Sequence, residues 1–78
     1  MSTNQIGLFL ESRPFQPFSI HLADGRTMRI VHPDLVAVGE FGLGIWILYV
    51  GGELELIDVA LIISMRTIGP VDPAQFIR

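Results

Sequence analysis

A chain of 78 residues, half of them hydrophobic, holds one domain and buries only about 60% of the surface its unfolded form exposes. With no cysteine and two histidines, it has neither disulfides nor thiolate ligands to reinforce so small a core. A net charge of −3, eight acids against five arginines, excludes the broad basic footprint of a non-specific nucleic-acid binder.

The N-terminal residues Met1 to Gln5 lack the positive flank of a signal peptide, and the longest apolar run, Ile45 to Val50, is far short of the ~20 residues of a membrane span. The expectation is a cytoplasmic protein with no membrane or DNA partner and no cofactor. Residues 1–70 read as one domain and 71–78 as a loose C-terminal tail.

Ser2 and Gln5 have the spacing of a capping box, and Ile6, Phe9 and Leu10 recur at helical spacing. A short amphipathic helix is predicted over residues 3–12, stopped by Pro14. Pro14 to Pro17 is a stiff extended connector, with Phe15 and Phe18 turned toward the core.

Phe18, Ile20 and Leu22 alternate with Ser19, His21 and Ala23, as in a half-buried strand. The return strand carries Met28 and Ile30. A two-residue Asp24-Gly25 turn would pair Ile20 with Arg29 and mix the faces. A three-residue loop, Ala23-Asp24-Gly25, pairs Ile20 with Met28 and Phe18 with Ile30, keeps one face apolar, and puts Gly25 in the left-handed position of a bulge.

Pro33 breaks the chain before a third strand, Leu35 to Val38. Gly39 to Gly44 is a glycine-rich loop, and Ile45 to Val50 a fourth strand, apolar on both sides. A tight Gly51-Gly52 turn leads into Glu53 to Ile57. In that register Tyr49 faces Leu54 and Ile47 faces Leu56, while Trp46, Leu48 and Val50 stand opposite Ile57, Glu55 and Glu53. After a short turn at Asp58 to Ala60, Leu61 to Ile68 is the last strand, ended by Gly69-Pro70. A short helix followed by about five antiparallel strands points to a mainly β fold, a small SH3-like or Sm-like barrel, with an open sheet carrying the helix on one face as the alternative.

Arg13-Pro-Phe-Gln-Pro-Phe18, Ile20-His-Leu22, Asp24-Gly-Arg26 and His32-Pro-Asp34 together resemble a family of small uncharacterised bacterial proteins with the pattern R-P-F-x-P-F, I-x-L-x-D-G-R, H-P-[DE]. The likeness spans roughly residues 8–68 and implies no activity. A weaker likeness is to Sm-like proteins, in the N-terminal helix, the segment Phe18 to Gly25 and the closing segment Ile57 to Pro70. It implies ring assembly and binding of uridine- or adenine-rich RNA. The family's closing motif has a lysine and a histidine, however, where this chain has Asp58-Val59-Ala60-Leu61.

Candidate residues follow from these elements. Trp46, Leu48 and Val50 would give one strand face an apolar surface that the helix or another subunit must cover, making them the candidate interface. His21 and Arg29 share the outer face of the first hairpin and could hold an anion; Arg66 is a further candidate RNA contact. His32 beside Asp34 could serve proton or metal chemistry, although a side-chain-capped turn at Asp34 is the plainer reading. Gly39, Gly42 and Gly44 lack the Lys and Ser/Thr of a phosphate cradle. Glu53 and Glu55 read as solubilising charges on a sheet edge. Three functions are carried forward: a non-enzymatic, self-associating module; an Sm-like RNA-binding ring; and a small-ligand binder or enzyme using His21, His32 and Asp34.

Overall fold

The computed structural model describes residues 2–39, 42–49 and 51–70. Helix α1, Thr3–Glu11, starts on the capping box: Ser2 Oγ accepts from the Gln5 amide at 3.4 Å, and Gln5 Oε1 accepts from the Ser2 amide at 2.9 Å. Its C-terminal carbonyls are met by Arg13, whose guanidinium donates to Leu10 O and Ser12 O. The peptide bond from Arg13 to Pro14 is cis. Ile6 is fully buried, and Phe9 lays an edge on Phe18 with ring centroids 5.0 Å apart. None of the described helices is long and apolar enough to cross a membrane.

Six strands follow: β1 Phe18–Leu22, β2 Thr27–Ile30, β3 Val36–Val38, β4 Gly44–Leu48, β5 Leu54–Asp58 and β6 Ile62–Thr67. They form two antiparallel three-stranded sheets. Sheet A has the order β2-β1-β6 and sheet B the order β3-β4-β5. Among the described residues no strand pairing joins the two into a closed barrel. The six strands fall on the six segments read in the sequence, with small differences at their ends. Pro33 starts a 3-10 turn, Pro33–Leu35, so β3 begins at Val36 and not at Leu35.

The first hairpin has the expected register, Phe18 opposite Ile30 and Ile20 opposite Met28, with Gly25 at φ +93°. The second hairpin does not. Leu48 faces Leu54, Trp46 faces Leu56, and Ile47 faces Glu55. Tyr49 N–H donates to Glu53 O at 2.8 Å and Gly52 N–H to Tyr49 O at 2.9 Å, so three residues, 50–52, separate the ladder's last pair. These bonds repeat those of the first turn, where Leu22 N–H meets Arg26 O and Gly25 N–H meets Leu22 O. Gly52, at φ +89°, takes the place of Gly25. The three-residue turn with a left-handed glycine suits the strands' twist. It also shifts β5 by one residue against the two-residue expectation, which turns Ile57 and Glu55 inward and Leu54 and Leu56 outward.

Each sheet gives the core one face. Phe18, Ile20, Leu22, Met28 and Ile30 of sheet A meet Val36, Ile45, Ile47 and Ile57 of sheet B. Ile6, Val59 and Ile62 complete the cluster. Strand β6 runs beside β1 with Leu22 opposite Ile62 and His21 opposite Ser64, so Ile63 is an extra residue, a bulge. The predicted tail, 71–78, lies outside the described residues, as do Glu40 and Phe41 of the glycine-rich loop.

Candidate functional site

The two sheets turn different chemistries outward. On sheet B the register places Ala37, Trp46 and Leu56 in one row and Leu48 and Leu54 in the next. Trp46 is 39% exposed, Leu48 42%, Leu54 60% and Leu56 55%. Leu43, also exposed, joins Trp46 and Leu56 around a shallow depression at the loop end of the sheet. Helix α1 packs beside β3 and leaves this face uncovered. Of the three expected interface residues, Trp46 and Leu48 stand on it, and Val50 lies outside the described residues. Their cross-strand partners are Leu56 and Leu54, where Ile57 and Glu55 were expected.

Sheet A is polar outside. Ser19 stands between Arg29 on β2 and Arg66 on β6, and His21 between Thr27 and Ser64. Three of the four candidate ligand residues, His21, Arg29 and Arg66, therefore share one face. The imidazole is held from both sides: Nε2 lies 3.3 Å from Ser19 Oγ and Nδ1 lies 3.2 Å from Thr27 Oγ1. The fourth candidate, His32, is exposed at the head of the 3-10 turn and outside those rows. Neither His32 nor Asp34 makes a side-chain hydrogen bond among the described residues, so the side-chain cap expected of Asp34 is not formed. Among the described residues no three His, Asp or Glu side chains lie close enough together to hold a metal ion.

A third cluster joins the sheets at their hairpin ends. Arg26, beside the first turn, donates through Nε to Asp24 Oδ2 at 2.7 Å and through a terminal nitrogen to both oxygens of Glu55, at 3.0 and 3.1 Å. Tyr49 donates its hydroxyl hydrogen to Glu55 Oε1 at 2.6 Å. The Tyr49 hydroxyl and the Arg26 guanidinium hold the Glu55 carboxyl below the usual range. The bond to Glu55 raises the Tyr49 phenol above its usual range. The Arg26 backbone amide, which donates to Asp24 Oδ1, and the Arg26 side chain lower the Asp24 carboxyl. Sequence reasoning missed this cluster, because Glu55 reaches Arg26 only after the second hairpin takes its observed register.

Beside these side chains runs a groove of about 410 Å³, lined by Met28, Ile30, Leu35 and Ile47 with Arg26 and Tyr49 at its end. Its lining is mostly aliphatic, and Thr27 and Arg29 also reach it. No family model matches the chain, nor does any curated protein or solved structure, so its surfaces are read on their own chemistry.

Proposed function

We propose that the chain is a non-enzymatic assembly module, a small SH3-like or Sm-like barrel whose copies associate through the outer face of sheet B and the adjoining edge of β5. The carrying observation is the exposed Trp46, Leu48, Leu54 and Leu56 side by side on one sheet. A lone apolar side chain on a surface is ordinary; an indole flanked by three leucines is a face that solvent does not favour.

Size argues for including the edge. Three strands about 4.8 Å apart and five residues at about 3.4 Å give a face of roughly 250 Å² in plan. A stable interface takes about 800 Å² from each partner. Strand β5 ends its sheet, and the alternation of ladder bonds leaves the backbone groups of Leu54, Leu56 and Asp58 aimed away from β4. Strand β6 ends sheet A in the same way, with the backbone groups of Met65 and Thr67 free. Pairing β5 of one copy with β6 of the next is a heterologous contact, which generates a ring when its rotation closes. The likeness to Sm-like proteins points the same way.

The single tryptophan makes the test direct. Dilution from high to low micromolar concentration should shift Trp46 emission to the red as light scattering reports a falling mass. Trp46→Glu should give a monomer at all those concentrations. A wild-type protein that stays monomeric, with emission independent of concentration, overturns the reading. Ring-type RNA binding has weaker support, because Asp58 stands where the Sm-like motif has a cation, and its carboxylate accepts from the Ala60 amide at 2.9 Å.

A further inference from the structure

The charges of this acidic chain are sorted by face. Arg26 is neutralised by Asp24 and Glu55, and Arg13 is spent on the carbonyls at the end of α1. Arg29 and Arg66 have no acidic partner among the described residues. Both project from the outer face of sheet A, and no carboxylate stands on the rows they share with Ser19 and His21. Two guanidinium groups thus lie unopposed by any described carboxylate, on a protein of net charge −3.

Their spacing is set by the sheet. Each is directly opposite Ser19, on either side of the central strand. Antiparallel partners lie about 4.5 to 5.5 Å apart at Cα, so the two arginines are separated by about 10 Å. The residue between them is small, so the floor is low. On the Arg29 side of Ser19 a shallow depression of about 270 Å³ opens, lined by Ser19, Thr27, Arg29 and Ile68. Hydroxyls of Ser19, Thr27 and Ser64 and the imidazole of His21 lie on the same surface.

From this juxtaposition we propose that the outer face of sheet A binds a phosphate group of the monoester type, gripped between Arg29 and Arg66 above Ser19. Two planar, permanently charged forks match the charge of a phosphate dianion and its several acceptor oxygens, and neighbouring hydroxyls supply further donors. A carboxylate offers fewer acceptors and half that charge. A single-stranded nucleic acid fits less well. Such strands are held by aromatic platforms as well as by charge, and this face has no Phe, Tyr or Trp. The site uses the outer face of sheet A, and only Arg66, on the edge strand β6, borders the proposed contact between copies.

The test is an amide-resolved NMR titration of the full chain at constant ionic strength. The probes are inorganic phosphate, glycerol 3-phosphate and a 12-nucleotide single-stranded RNA, with sodium chloride as the blank. Saturable shifts centred on Ser19, His21, Arg29 and Arg66 are expected with both small phosphates. Arg29→Gln and Arg66→Gln should each weaken binding about tenfold, the loss of one charge-assisted contact. Unchanged signals from sheet B in the same spectra show that the variants remain folded. The comparison of free phosphate with glycerol 3-phosphate separates a site for the ion from one for an esterified ligand. Shifts that follow chloride, or that persist in the Arg29→Gln/Arg66→Gln double variant, overturn the proposal. So does RNA that binds far more tightly than either small phosphate, which would make the face a strand-binding surface.

Discussion

Glu55 shows how one residue ties the two sheets. Its carboxylate takes a hydrogen bond from Tyr49 and an ion pair from Arg26 of the opposite hairpin, and these hold it ionised below the usual carboxylate range. A group depressed in the folded state contributes stability above its unfolded pKa, and that contribution is lost as pH falls through the folded value. Thermal melts should therefore show full Glu55 stabilisation at neutral pH and a decline in the acid range, below about pH 4.3. Glu55→Gln should flatten that decline while lowering the melting temperature at pH 7. Phe18 marks the other extreme of environment: fully buried, with Phe9 and Phe15 edge-on to its ring. Phe18→Ala should cost about 3–5 kcal/mol in denaturant titrations, enough to unfold a chain of this size at ambient temperature. The burial of Phe18 was legible in the alternation of its strand. The role of Glu55 was not, because its partners lie 6 and 29 residues away and meet it only through the register of a turn.

At the scale of elements, the two hairpins contrast in what the sequence specifies. In β1 and β2 apolar and polar residues alternate, so only one register keeps the faces separate, and the structure adopts it. In β4 both parities are apolar: Ile45 and Ile47 on one side, Trp46 and Leu48 on the other. Periodicity therefore had no vote, and the paired glycines suggested a turn one residue too short. The alternation of Glu and Leu in β5 added a wrong cue, since leucines inside and glutamates outside is the ordinary arrangement. The reverse is observed, and it is what leaves Leu54 and Leu56 exposed. Both turns depend on a left-handed glycine, and around Gly25 and Gly52 a Cβ would meet nothing within 4 Å. Gly25→Ala and Gly52→Ala should each cost about 1 kcal/mol from backbone strain alone, read from urea midpoints.

For the whole molecule, the apolar composition of a short chain made an uncovered surface predictable, and the observed face of sheet B is that surface. What composition could not give is how six strands divide into two sheets, since this depends on strand partners far apart in sequence, such as β1 and β6. Assembly has a thermodynamic signature: a partner that binds only the folded state raises the melting temperature with protein concentration. Wild-type protein should show that dependence, and a Leu54→Glu/Leu56→Glu variant should lose it while remaining folded, since both side chains are exposed. The bulge at Ile63 bears on the opposite surface. A strand has a reading frame of two, and one supernumerary residue in the ladder changes which letters are read outward. Were Ile63 taken into the ladder opposite His21, the frame of Ser64 to Arg66 would invert: Met65 would point to water and Arg66 into the aliphatic interior. Deleting that isoleucine would leave Ile62 inward and Ser64 outward in plain alternation, so the pair of guanidiniums would survive: the bulge is a silent insertion, lengthening the text without changing how the rest is read.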